Sequence, residues 1–337
     1  MQSRRCGIDG AWVGSPTLER FALGGTVAAG TTYGGTVDKR DTHGRPTGAR
    51  TGGGPRPARL RLAGLHPDVF RHPLDRQAAQ NLQRMPGFER AVAKFIEWGW
   101  ERREYITLTA SAVRVGPNQL PRVHGLLREA CAILDIREPE LYVQRGPVNA
   151  YTSGHNNPYI VLFTELIDAV SDDELLSVIG HEAGHIKCGH VLYRTMARMF
   201  AGAATSGLGR ANPVTAVVGV GVRAALSSYD RASELTADRA AMLTVQDLDA
   251  CVGMMMKLAG GVQSDQMNAA AFLEQARRLD DLAKSNTISR FHRFQLRMGG
   301  DHPLLVERAR RFDEWITSGE LGAIITRYGA YPPKPPC

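Results

Sequence analysis

No clean apolar run in this 337-residue chain reaches the ~20 residues that a bilayer-spanning helix requires. Cysteine is scarce as well. The five cysteines (Cys6, Cys131, Cys188, Cys251, Cys337) are scattered, odd in number and form no Cys-x-x-Cys pair. That excludes a disulfide framework and a cysteine zinc site, and it suits a reducing compartment. The formal net charge of +7 hints at nucleic acid, but residues 1–60 hold nine Lys/Arg against four Asp/Glu, so the body is close to neutral. A basic patch for nucleic acid is not expected. Residues 1–60 also have few apolar runs and are rich in Gly, Thr and Arg, so a disordered tail is predicted over residues 1–64. The weakly apolar run Phe21 to Gly30 is too Gly-rich and too far from the N-terminus for a signal peptide. A cytoplasmic location follows as the expectation, with at most peripheral contact at the inner face of a membrane.

What is present is concentrated between Ser171 and His185. Ser171 followed by Glu174 is a capping box, which signals a helix start. Leu175, Leu176, Val178 and Ile179 continue into Ile186, Val191 and Leu192, the pattern of a helix buried on much of its surface. Gly180 and Gly184 cost helix propensity, and they make sense where another element approaches closely. Inside this helix lies His181-Glu182-Ala183-Gly184-His185. Residues four apart share a helix face, so His181 and His185 can offer two imidazoles to one ion. Zinc wants such nitrogens, a third protein ligand and an open position for water. Glu182 beside that water can take its proton.

The chain ahead of this helix reads as one helix from Phe88 to Ile106, then a second that Asn118 caps and that runs to about Leu134. Glu140–Gln144 and Tyr159–Phe163 read as strands, with a shorter extended piece at Asn149-Ala150-Tyr151-Thr152 between them. Such an edge strand beside the His-Glu-x-x-His helix can pair with an extended peptide, which makes Asn149, Ala150 and Tyr151 candidate substrate-binding residues.

Past His185, the 100° step per residue puts His190 on the opposite face of a continuing helix, so it is not expected as a ligand. Cys188 reads as a small buried residue. Residues 195–226 are rich in small residues and suggest a helical hairpin, the segment that could touch a membrane surface. Further on, Glu234 and Asp238 lie one helical turn apart among small and apolar residues. One carboxylate can complete a zinc site of two histidines and one acid, and the other can accept a hydrogen bond from a ligating imidazole. Buried without a cation, such a pair would be costly. Helices are also expected over 247–259, 268–284, 287–298 and 303–317.

From about Met85 to Tyr331 the chain resembles the HtpX-like zinc metallopeptidases, gluzincin relatives of the CAAX prenyl proteases (peptidase family M48). The resemblance rests on Val113 to Asn118, Asn149-Ala150-Tyr151, Ser171 to His190, Ser233 to Arg239 and Asp301-His302-Pro303. It implies one zinc per chain at His181, His185 and Glu234, with Glu182 as general base, and leaves Asp238 as the supporting carboxylate. It implies an endopeptidase acting on protein or peptide substrates, often a membrane protein that handles misfolded or lipid-modified proteins. The missing spanning helix sets this chain apart from the membrane members. In the family the His-Pro element follows the catalytic helices, so His302 could donate a hydrogen bond to the oxyanion, with Tyr328 and Tyr331 as alternatives. The expected architecture is α+β and mainly helical. It comprises the tail 1–64, a helical segment 65–116, a zincin-like domain 117–331 with a small sheet beside the active-site helix, and a Pro-rich tail 332–337. The alternative is a latched or non-hydrolytic zinc-binding interaction protein of the same fold. Oligomeric state has no sequence signal.

Overall fold

The computed structural model describes residues 58–97, 99–205, 220–261, 266–285 and 304–330. The chain runs through β1 (Arg61–Leu62), α1 (Pro67–Phe70), α2 (Pro73–Gln83), α3 (Phe88–Glu97) and α4 (Trp100–Ser111) into β2 (Val113–Arg114). Then come α5 (Pro121–Leu134), β3 (Glu140–Gln144), β4 (Ala150–Ser153), β5 (Tyr159–Phe163), α6 (Thr164–Ala169) and α7 (Asp172–Lys187). The remainder is α8 (Val191–Thr205), α9 (Val220–Val245), α10 (Leu248–Gly260), α11 (Ala269–Ser285), α12 (Leu305–Thr317), α13 (Glu320–Tyr328) and β6 (Gly329–Ala330). The fold is therefore mainly helical α+β, with a small mixed sheet.

Three expectations need correcting. The tail ends before residue 64, because β1 pairs antiparallel with β6 and Leu62 is fully buried. Arg59 is buried too, its guanidinium on Glu129 at 2.9 Å and Asp173 at 2.7 Å. The expected helix over 88–106 is two helices, since Gly99 takes φ +68°, a left-handed conformation that glycine adopts without strain. Asn118 does not cap α5, which starts at Pro121 behind Leu120. The expected helix over 287–298 lies outside the described residues, as do Trp98, Tyr331 and the Pro-rich tail.

Strand order in the larger sheet is β2-β3-β5-β4, with β3 and β5 parallel and β4 antiparallel to β5 at the edge. Beside it α7 is buried at every residue from Glu174 to His185. Its capping box forms as expected: Ser171 N donates to Glu174 Oε2 at 2.6 Å and Glu174 N donates to Ser171 Oγ at 3.3 Å. One core joins α5, β3, β5, α7, α10 and α12, and a second joins α2, α3, α8 and α9 through Leu82, Phe95, Phe200 and Leu226.

The long helix α9 lies across α7. Gly180 meets Thr244 and Gly184 meets Ala240, so the two helices run antiparallel at close range. A Cβ on Gly184 would strike the Ala240 Cβ. The glycines predicted to admit a neighbour thus admit the helix that carries Glu234 and Asp238.

Candidate metal centre

Helix α7 stacks His181 and His185 one turn apart, with their Nε2 atoms 3.2 Å from each other. From α9, Glu234 brings one carboxylate oxygen to 3.4 Å from His181 Nε2 and the other to 3.4 Å from His185 Nε2. All three side chains are buried, and their donor atoms lie within 4.8 Å of one another. Ligands held about 2.0–2.1 Å from a tetrahedral ion stand about 3.3–3.4 Å apart. The Nε2 pair comes near that edge length, and each nitrogen has one of the two Glu234 oxygens at it.

The hydrogen bonds behind the histidines say which way their lone pairs point. His181 Nδ1 is 3.2 Å from Asp238 Oδ1. Arg308 holds Asp238 from the other side, Nε to Oδ2 at 2.8 Å and Nη2 to Oδ1 at 2.5 Å. Although burial would raise the Asp238 pKa, Arg308 and His181 hold it below the usual carboxylate value. Asp238 is therefore an acceptor and His181 Nδ1 carries a proton, so the lone pair of a neutral His181 falls on Nε2, facing inward. Behind His185 the partner is His190, Nδ1 to Nδ1 at 3.0 Å. Burial keeps His185 well below its ordinary pKa, and Arg194 adds to the shift. With His181 neutral, its Nε2 and the Glu234 oxygens are electron-pair donors facing one point beside His185, an arrangement that suits a cation. In the metal-free protein a proton substitutes: burial opposes it, but Glu234 and Asp238 raise the His181 pKa to about 9.

Charge balance by itself demands less than expected. Arg194 Nη2 reaches Glu234 Oε1 at 2.5 Å, and Arg308 Nη1 lies 3.1 Å from Glu234 Oε2. Burial favours the acid form of Glu234, yet Arg194, Arg308 and His181 hold its pKa well below the ordinary value. The two arginines already neutralise the buried carboxylate pair. It is the placement of the two Nε2 atoms against Glu234 that fits a metal.

Glu182 lines the same cavity as His181 and Glu234, and Thr152 of β4 donates from Oγ1 to Glu182 Oε2 at 2.6 Å. The cavity, of about 200 Å³, is also lined by Val148, Asn149, Ala150, Leu166, Val178, Met254, Leu258, Leu305 and Arg308. Tyr151 is not part of it; its ring packs near Phe163 at 5.9 Å, with the Arg198 guanidinium 5.9 Å from its centre. Phe163 N donates to Asn149 O, so by alternation Tyr151 and Ser153 bond to β5 while Ala150 and Thr152 turn their backbone outward. Two of those outward groups are taken within the chain: Ala150 N by Asn149 Oδ1 at 2.8 Å, and Thr152 O by Arg198 at 2.9 Å.

The prediction that His190 lies on the opposite face fails. Helix α7 stops at Lys187, Gly189 turns at φ +70°, and His190 N bonds back to His185 O at 2.9 Å. This glycine-based reversal folds His190 underneath its own helix. Its local sequence signal is Gly189. Cys188 is buried as expected, its thiol pushed up to about 12 by burial. His302 lies outside the described residues. Tyr328, at the end of α13, does not line the cavity. Thr152, Arg194, Arg198, Arg308 and Asp75 had no local sequence pattern to announce them.

Residues 117–316 match the profile of peptidase family M48. The chain belongs to that family. Among relatives of this M48 chain, the plastoglobule-localized metallopeptidase 48 of Arabidopsis thaliana chloroplasts is 39% identical over 269 residues, 78% of this chain and 76% of that protein. A protease HtpX homolog of Methylibium petroleiphilum is 25% identical over 193 residues, 51% of this chain and 68% of that protein. Protease HtpX homolog 2 of Methanosarcina mazei is 34% identical over 82 residues, 23% of this chain and 28% of that protein. No solved structure matches the chain. The M48 chain is an HtpX-like metalloprotease, with His181, His185 and Glu234 as its candidate metal ligands. Among its described residues no helix is long and apolar enough to cross a membrane.

Proposed function

We propose that this chain is a zinc-dependent endopeptidase in which His181, His185 and Glu234 hold one zinc ion and Glu182 is the general base. The observation that carries the reading is the buried cluster of His181, His185 and Glu234, with both Nε2 atoms facing the same carboxylate, beside the buried Glu182. When bound, zinc supplies a Lewis acid that polarises the peptide carbonyl and makes water acidic. Thr152 holds one oxygen of Glu182, which leaves the other to accept a proton from the attacking water. Glu182 then passes that proton to the leaving amine. An extended substrate pairs with the outward groups of Ala150 and Thr152 on β4, next to Asn149. The apolar wall of Val178, Met254, Leu258 and Leu305 receives a large apolar side chain beside the scissile bond. His302 remains the proposed oxyanion donor, and Asp238 orients His181. A cytoplasmic location, with peripheral membrane contact through 195–226, is part of the same reading.

One observation favours a second, latched reading. Arg198 of α8 occupies the Thr152 carbonyl on the edge a substrate would use, so α8 has to yield before a strand can pair fully. Zinc content measured alongside cleavage of casein, an unfolded substrate, tests both readings on wild type and Glu182→Gln. One zinc per chain with cleavage only in the wild type supports the peptidase. Zinc without cleavage in either favours the latch, and no zinc overturns the proposal.

A further inference from the structure

We propose that His190 and Asp75 form a positioning relay that locks His185 in the tautomer needed to bind the metal; this rests on the reading of His181, His185 and Glu234 as the metal site. The relay is a line of buried polar atoms running away from the cavity. His185 Nδ1 meets His190 Nδ1 at 3.0 Å, and His190 Nε2 meets Asp75 Oδ2 at 3.0 Å. Thr236 of α9 donates to the same Oδ2 at 2.7 Å. His185, His190, Asp75 and Thr236 are all 0% exposed, so water cannot supply these hydrogen bonds.

The proton positions follow from donor and acceptor counting. A carboxylate only accepts, so Asp75 requires the proton of His190 on Nε2 and leaves His190 Nδ1 as an acceptor. Two ring nitrogens 3.0 Å apart share one proton, and it therefore sits on His185 Nδ1. The lone pair of His185 then falls on Nε2, the atom that faces His181 and Glu234. A metal on that atom demands the same arrangement. His181 reaches its carboxylate directly through Asp238, whereas His185 reaches one through an interposed imidazole. Asp75 comes from α2, outside the helices that carry the ligands, which gives this N-terminal helix a stake in the metal site. Arg71 keeps its Nε 3.8 Å from Asp75 Oδ2, a contact that favours the charged form.

The test is the zinc affinity of the full chain, read by competition with a chromophoric chelator. His190→Leu, which keeps bulk but neither nitrogen, is expected to weaken zinc binding about 10–100-fold, the usual cost of losing such a partner. His190→Gln offers one acceptor and one donor and should stay within about threefold of wild type, a rescue that bulk alone would not give. Asp75→Asn, isosteric, should fall between them. In the His190→Leu background it should add little further loss, because the hydrogen-bond path from Asp75 to His185 runs through His190. Thermal melts of the metal-free variants show whether each is folded. Zinc binding by His190→Leu as tight as wild type overturns the relay. So do equal losses in the Leu and Gln variants, and so do additive losses in the double variant. Failure of the wild type to bind zinc would instead overturn the metal reading itself, a separate outcome of the same titration.

Discussion

The backbone of Gly184 lies against the Cβ of Ala240, with no space for a methyl group between α7 and α9. This contact sets how near Glu234 can come to the two histidines, because His185 follows Gly184 on one helix and Glu234 lies six residues before Ala240 on the other.

Gly184→Ala should therefore do more than destabilise. Overpacking of this kind costs about 1–3 kcal/mol, and forcing the helices apart also draws the carboxylate away from the Nε2 pair. A lower melting temperature together with weaker zinc binding is expected. Adding Ala240→Gly should restore the metal affinity, because it returns the space. Zinc binding by Gly184→Ala equal to wild type would show that the spacing is set elsewhere.

Thr152→Val removes the hydroxyl on Glu182 with little change in shape. Hydrogen bonds to charged groups contribute about 1.5–3 kcal/mol, so kcat is expected to drop by roughly tenfold or more while zinc content stays the same. Thr152→Ser should retain most of the rate. A full rate for the valine variant in steady-state kinetics would leave Glu182 oriented by something else.

The metal-free protein should be most stable near pH 6.5. Burial lowers the pKa values of His185 and His190 from 6.5, so their contribution is present above that pH and is lost as pH falls below it. His181 behaves oppositely: raised to about 9, it contributes fully below 6.5 and loses that contribution as pH rises through 9. Melting temperatures in chelator across pH 5 to 10 should fall on both sides (the range is about that of His titration, ordinary and shifted). Zinc should abolish the alkaline decline by taking the place of the His181 proton. An unchanged alkaline limb in the presence of zinc would speak against His181 as a ligand.

Leu258, 36% exposed at the cavity wall, is not among the buried core residues. Leu258→Asp should lower kcat/KM about tenfold for cuts beside large apolar residues, the scale of a lost apolar contact. Mass-spectrometric mapping of casein cuts would check it. Unaltered cut sites would mean that the apolar wall does not receive the substrate.

The sequence by itself determined the helix of the ligands, the two central strands and the family, because each is written in neighbouring residues. A capping box, an i,i+4 histidine pair and an alternating run act over one or two turns of chain, where geometry is nearly fixed by covalent connection. It also offered two acids one turn apart without deciding between them by spacing. The tertiary structure placed Glu234 against both Nε2 atoms and Asp238 behind His181. Only the fold could bring Asp75 to His190 across 115 positions of sequence, or Arg308 to Asp238 across 70. Such pairs leave no periodic trace, since what unites them is the free energy of burying charge with a partner and not any local propensity. His190 stands between the two cases. Its neighbour Gly189 permits the reversal, but the reversal matters only because a buried carboxylate on another helix is there to receive the imidazole.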